Sequence, residues 1–137
     1  MITAIDTNIL LDILAPNPDF YEASSGAIER AANAGSMVIC DLVYAELCIH
    51  FGTQRECDEF LQSIEIRVEP VRREAHFLAS RAYRAYRQRG GQRDRILADF
   101  LIGAHAQLQA TRLLSRDRGF YRGLFPKLTL VDPAAAR

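Results

Sequence analysis

The sequence predicts an α/β domain with a mainly parallel central sheet flanked by helices. Three observations carry that prediction. Short apolar, β-prone runs alternate along the chain with longer stretches of helical periodicity. Glycine, proline and capping residues fall at the joints between them. The 137 residues, 49% of them hydrophobic, fit one compact unit with a core of its own. Strand–helix alternation favours parallel pairing, because each return to the sheet passes through a helix.

Taken in order, residues 2–5 are apolar and run into Asp6, which makes them the first strand. A short helix over 7–14 follows, ended by Pro16 and Pro18. Phe20, Ala23, Ala27, Ile28 and Ala31 recur at helical spacing and predict a helix over 20–34, with Gly35 as its C-cap. Residues 37–40 read as the second strand. Asp41 is placed to cap a helix from 42 to about 51, and Thr53 to cap another over 54–63. Residues 64–68, before Pro70, are a third strand candidate. A long helix is expected over 72–89, with Phe77, Leu78, Ala82 and Ala85 as its buried stripe. Residues 89–93 read as a loop. The stretch 97–110 is a strongly apolar helix in which Gly103, Ala104 and Ala106 allow close packing. Two short strands, 112–115 and 128–131, complete the alternation. No repeat, low-complexity segment or linker interrupts it, so a single domain is expected over 1–137.

Several function classes are set aside by composition. No apolar run approaches the ~20 residues that cross a bilayer, and the N-terminus lacks the basic and apolar regions of a secretion signal. A cytoplasmic protein without membrane contact is the expectation. The three cysteines, Cys40, Cys48 and Cys57, lack the spacing of a zinc site or a disulfide framework and read as free structural thiols, with a Cys/His catalytic pair as the alternative. His50, His76 and His105 show no metal-ligand spacing. The net charge of zero hides an asymmetry. Residues 1–71 hold three basic and twelve acidic side chains, whereas residues 72–137 hold fourteen and five. Lys127 is the only lysine, so the positive half is almost all arginine, whose guanidinium matches phosphate geometry. Acids that hold cations beside arginines that hold a polyanion would suit a nuclease; charge pairing between the halves explains the same counts.

In parallel sheets, ligands collect at the carboxyl ends of strands. Asp6 ends the first strand and Asp117 follows the strand 112–115, so both point to one crevice. Glu46 shares a helix face with Val43, Leu47 and His50. Asp99 lies among Leu97, Phe100, Leu101 and Ile102, where a carboxylate is costly to bury without a partner or a metal. Each acid also has an ordinary reading. Asp6 can cap the next helix, Glu46 can face solvent, Asp99 can pair with Arg95, and Asp117 can sit in a turn before Gly119. The combination carries more than any member. Four acids in one crevice repel one another unless a cation joins them, and phosphodiester hydrolysis is chemistry that needs such a cation.

Four segments carry a family resemblance: Ile5-Asp6-Thr7-Asn8-Ile9-Leu10-Leu11-Asp12, Leu42-Val43-Tyr44-Ala45-Glu46-Leu47, Asp99-Phe100-Leu101-Ile102-Gly103-Ala104-His105-Ala106 and Leu113-Leu114-Ser115-Arg116-Asp117-Arg118-Gly119-Phe120-Tyr121. In order and spacing they resemble a PIN-domain ribonuclease, specifically a VapC-type toxin of a bacterial type II toxin–antitoxin pair. The resemblance spans nearly the whole chain. It implies a single PIN-like domain and a magnesium-dependent endoribonuclease, with manganese as a substitute ion. Asp6, Glu46, Asp99 and Asp117 match the acidic metal-binding quartet, and Asp6 and Asp99 match its most dependable members. Thr7 and Asn8 match the polar pair behind the first acid, and Ser115 matches a small hydroxyl residue beside the last. Asp41 departs from the family's usual serine or threonine and adds a fifth acid. An RNA substrate, a cognate antitoxin and a homodimer are the implied partners. Arg116 and Arg118 are candidates for RNA phosphate contact, as are arginines within 84–95. Asp12 and Asp94 read as surface or salt-bridge residues.

Other readings remain at this point. A PIN-domain nuclease of RNA processing would need no antitoxin. A phosphate-receiver signalling domain shares clustered acids and magnesium but wants a strand-end lysine, and Lys127 sits beside Pro126. A non-catalytic RNA-binding or interaction module would have no use for all four acids.

Overall fold

In the computed structural model, which describes residues 1–91 and 97–134, five strands pair into one sheet. They are β1 (Ile2–Ile5), β2 (Ser36–Cys40), β3 (Ile66–Glu69), β4 (Arg112–Leu114) and β5 (Leu130–Val131). Their order is β3-β2-β1-β4-β5, and every neighbouring pair is parallel. The helices described are α1 (Thr7–Leu14), α2 (Tyr21–Ala34), α3 (Asp41–Cys48), α4 (Gln54–Ser63), α5 (Arg73–Gln88), α6 (Leu97–Gln109) and α7 (Arg118–Leu124). This is the α/β architecture the sequence predicts. Consecutive residues of the central strands, such as Ala4–Ile5 and Val38–Ile39, are both buried, so helices cover both faces of the sheet. Ile9, Leu10, Val43, Leu47 and Phe100 join them in one core. No helix among the described residues is long and apolar enough to cross a membrane.

The strand order positions the site. The chain steps outward from β1 to β2 and β3, then returns to the other side of β1 for β4 and β5. Connections therefore diverge between β1 and β4, the place in an open parallel sheet where ligands ordinarily collect, at the carboxyl ends of those two strands. The Asp6 amide donates to the Leu114 carbonyl at 3.0 Å and carries the pairing to that end. At the opposite end, Gly35 closes α2 against the chain start. A Cβ there would stand 2.0 Å from the Met1 carbonyl oxygen, so only glycine fits.

The departures from expectation are local. Asp41 is the first residue of α3, and Cys40 is the N-cap. The Asp41 carboxylate instead accepts the Val71 amide at 3.3 Å and fastens the chain after β3. That helix ends at Cys48, where His50 and Phe51 amides turn back three residues to Leu47 and Cys48 in a tightened last turn. β3 begins at Ile66 because Glu65 takes a left-handed turn conformation, φ 58°. The buried stripe of α5 is Ala75, Ala79 and Ala82, small residues that let it lie close along α6. Phe77 is 53% exposed, with the Arg81 guanidinium 4.7 Å above its ring. Helix α7 falls where only a turn is expected. Gly119 and Gly123 depress its helical propensity, and the burial of Tyr121 and then Phe125 holds it in place. Close packing at Gly103 is as expected: a Cβ there would lie 2.5 Å from the Phe125 ring. Gln92, Arg93, Asp94 and Arg95 lie outside the described residues, and with them the expected Arg95–Asp99 contact and part of the arginine segment 84–95.

Candidate active site

Asp6 is the N-cap of α1, and its Oδ1 accepts the Thr7 amide at 2.8 Å. Its Oδ2 accepts two hydroxyls, Ser115 Oγ at 2.7 Å and Tyr121 Oη at 3.0 Å. Capping and site placement thus coincide in one residue. The carboxylate is 6% exposed, and the partners found for it are neutral donors. Burial pushes its pKa above the ordinary aspartate value, against the Ser115, Tyr121 and Thr7 hydrogen bonds that favour the charged form. The charge of Asp99 pushes it further the same way.

The neighbouring polar residues are ordered by the same few bonds. Thr7 Oγ1 donates to Glu46 Oε1 at 2.7 Å and ties α3 to the start of α1. The Asp117 amide donates to Ser115 Oγ at 2.9 Å, and the Arg116 amide donates to Asn8 Oδ1 at 3.3 Å. Asn8 Nδ2 reaches Ser115 Oγ at 3.4 Å. Thr7, Asn8 and Ser115 therefore support the carboxyl ends of β1 and β4. Asp99 stands in the first turn of α6, and Asp117 is the residue just before α7, making no side-chain cap bond to it. The Tyr121 hydroxyl lies within electrostatic reach of three of the acids. Its pKa is driven well above its ordinary value by burial first, then by Asp6, with Asp99 and Asp117 adding to it.

Asp6, Asp99 and Asp117 thus all act electrostatically on the Tyr121 hydroxyl, and Glu46 is linked to the start of α1 through Thr7. The donors are all oxygen, which suits a hard divalent cation. Among the described residues no three His, Cys, Asp or Glu side chains stand close enough to hold one ion together. Magnesium is ordinarily held by one or two carboxylates with water in its other positions, and oxygen donors of this kind are compatible with that.

The arginines beside Asp117 have internal partners. Arg116 makes a two-pronged ion pair with Asp12, Nε at 2.9 Å and Nη2 at 3.0 Å, and its guanidinium lies 3.9 Å over the Phe20 ring. Ser24 Oγ donates to the same Asp12 at 2.6 Å. Asp12 is therefore a salt-bridge residue, though a buried one. Arg118 pairs with Asp132 at 2.8 Å, with its side chain 40% exposed. The sequence reading missed Tyr121 as a site residue. One sign was present, because a tyrosine one turn after Asp117 in an aromatic run is a residue whose hydroxyl needs a buried acceptor. Burial pushes the Cys40 thiol up to about 11 and the Cys57 thiol up to about 12, which speaks against either as a nucleophile.

The family model of the PIN domain matches residues 3–123. The chain belongs to the PIN domain family. Solved structures with this PIN fold include VapBC2 from Rickettsia felis bound to a DNA fragment from its promoter. The match has 21% identity and a TM-score of 0.74, over 96% of this chain and 98% of that one. VapBC-1 from nontypeable Haemophilus influenzae matches at 19% identity and TM-score 0.74, over 98% and 99%. FitAcB from Neisseria gonorrhoeae matches at 17% identity and TM-score 0.71, over 99% and 100%. A comparison with curated proteins gives no match. At these identities the likeness speaks for the fold, and the PIN fold agrees with the architecture expected from the sequence.

Proposed function

We propose that this PIN domain is a magnesium-dependent endoribonuclease, the toxin of a toxin–antitoxin pair. The observation that carries the reading is Asp6: a buried carboxylate held by neutral donors, on which the charge of Asp99 acts. Such a site favours a cation from outside the chain. Asp6 and Asp99 would anchor the ion, and Asp117 and Glu46 would complete its surroundings directly or through bound water. The ion, magnesium or manganese, supplies charge neutralisation at the phosphoryl group and a water of lowered pKa. Asp117 and Glu46 would orient the attacking water, one of them taking its proton as the new P–O bond forms and the bond to the leaving oxygen breaks, and Thr7 steadies Glu46 by the bond it donates. Arg118 is the arginine beside the site best placed to turn toward an RNA phosphate, since it is the more exposed of the adjacent pair's side chains.

The partner in the proposal is an antitoxin protein, supported by the fold shared with VapBC, FitAcB and a toxin–antitoxin complex from Klebsiella pneumoniae. A homodimer and a cytoplasmic setting belong to the same reading. The test is RNA cleavage by the purified chain with magnesium, with chelator, and with Asp6→Asn and Asp99→Asn in parallel. Cleavage that survives chelation, or proceeds at wild-type rate in Asp6→Asn, would overturn it. RNA ends found only with wild type would identify the substrate.

A further inference from the structure

We infer that Tyr121 is a positioning residue that turns Asp6 into a single-pointed ligand. The inference rests on the metal reading above and adds a residue to it. A carboxylate oxygen has two lone pairs in its plane. On Asp6, Oδ2 already accepts both Ser115 Oγ and Tyr121 Oη, at 2.7 and 3.0 Å. Oδ1 accepts the Thr7 amide at 2.8 Å, which leaves it one lone-pair direction. Of the Asp6 oxygens, Oδ1 is therefore the one with a lone pair left over, and it is the atom that would hold a cation.

The phenol ring is fixed so that its hydroxyl can do this. Tyr121 is 2% exposed, and its ring stacks edge-on against Phe120 at 5.1 Å and lies 6.5 Å from Phe125. Phe120 in turn meets Phe100 of α6 edge-on at 5.2 Å, one residue from Asp99. Gly103 leaves the space that Phe125 fills. The aromatic row therefore couples the helix that carries Asp99 to the hydroxyl that holds Asp6. Packing alone would be served as well by phenylalanine. What the tyrosine adds is one donor, and Asp6 is the acceptor found for it. Outer-shell donors of this kind fix the orientation of a ligand and change metal affinity by ~10–100-fold when removed.

The test is Tyr121→Phe in the full chain, with Mn2+ as the probe. Free Mn2+ is counted by electron paramagnetic resonance without RNA, and thermal unfolding and RNA cleavage are followed in parallel. The expected result is a native-like unfolding midpoint, Mn2+ binding weakened ~10–100-fold, and a lower kcat with KM for RNA unchanged. Ser115→Ala removes the other donor to Oδ2 and should weaken Mn2+ binding in the same direction, which keeps a readout if the first variant folds poorly. Unchanged or tighter Mn2+ binding in folded Tyr121→Phe overturns the inference while the metal reading stands. A wild-type chain that binds no Mn2+ overturns both.

Discussion

Asp6 and Asp12 are buried carboxylates at opposite ends of the same short segment, and the fold neutralises them in opposite ways. Asp12 receives a full counter-charge from Arg116 and a hydroxyl from Ser24. Asp6 receives two hydroxyls and an amide, so its charge is solvated by dipoles. The first arrangement is closed, because the chain supplies both ions of the pair. The second leaves buried negative charge to which Asp99 adds more. A buried acid therefore marks a candidate site when its partners are neutral, and a structural brace when they are charged.

Exchanging each acid for its amide should separate the two roles. Asp6→Asn keeps the side-chain shape and removes the charge that holds the ion. Metal-dependent RNA cleavage should fall by at least ~100-fold, as expected when a ligand of the essential ion is lost. Stability without metal should hold or rise, since a buried charge and its repulsion from Asp99 are gone. Asp12→Asn should do the reverse, with lower unfolding resistance and cleavage per folded molecule within a few-fold of wild type. Paired measurements of cleavage rate and urea midpoint check both, and equal losses of cleavage would erase the distinction.

Arg116 sharpens the same contrast. Arg116→Ala strands Asp12, whose side chain is 4% exposed, with Ser24 as its remaining donor. The expected loss is about 2–3 kcal/mol, below the full cost of breaking a buried pair because the arginine itself is partly exposed. The salt dependence of RNA binding should stay as in wild type. Arg118→Ala should instead cost little stability and lower the slope of log affinity against log salt by about 1, the signature of one lost phosphate contact. A lowered slope in Arg116→Ala would restore the phosphate role that its place beside Asp117 suggests.

These pairings also mark how far the sequence could be read. The strands and the place of Asp6 at the end of β1 are legible in the sequence, because a short apolar run ending in an acid is a local pattern. The quartet Asp6, Glu46, Asp99 and Asp117 is what the family resemblance implies. The Arg116–Asp12 and Tyr121–Asp6 bonds are not legible there, since they join residues 104 and 115 positions apart. Arg116 looked free for RNA because nothing near it in sequence claims its charge. Helix α7 was hidden by Gly119 and Gly123, and burial of Tyr121 against the core overrides that weak propensity. On α5 the aromatic Phe77 drew the eye, yet the alanines set the distance to α6.

A change remote from both carboxylates tests whether the aromatic row holds only the open site. In Gly103→Ala the new methyl meets the Phe125 ring at 2.5 Å and must displace it. Overpacking of this kind costs about 1–3 kcal/mol. The strain falls on the contact between α6 and α7, which carry Asp99 and Tyr121, while the Asp12–Arg116 brace lies outside it. Cleavage per folded molecule should drop severalfold with the loss in stability. Retained cleavage at reduced stability would show that the row is packing alone.

The smallest effect expected is one of pH, at a third polar cluster that resembles Asp12 more than Asp6. His105, 1% exposed, shares a hydrogen at 2.7 Å between its Nε2 and Glu69 Oε1. Burial lowers its pKa below the ordinary 6.5, outweighing the opposite pull of Glu69 and Asp41, while Arg72 adds to the lowering. The fold thus stores a neutral imidazole, and the unfolded chain takes up the proton first as pH falls. Stability from this group is complete above the ordinary histidine value and is lost as pH drops through it. Urea midpoints taken between pH 7.5 and 5.5 should fall for wild type, and less steeply for His105→Gln, which has no proton to gain. Equal slopes for the two proteins would mean that folding leaves the His105 pKa unchanged, and a shallower fall in wild type would mean that Glu69 holds the imidazole charged in the folded state, as an ion pair like Asp12–Arg116.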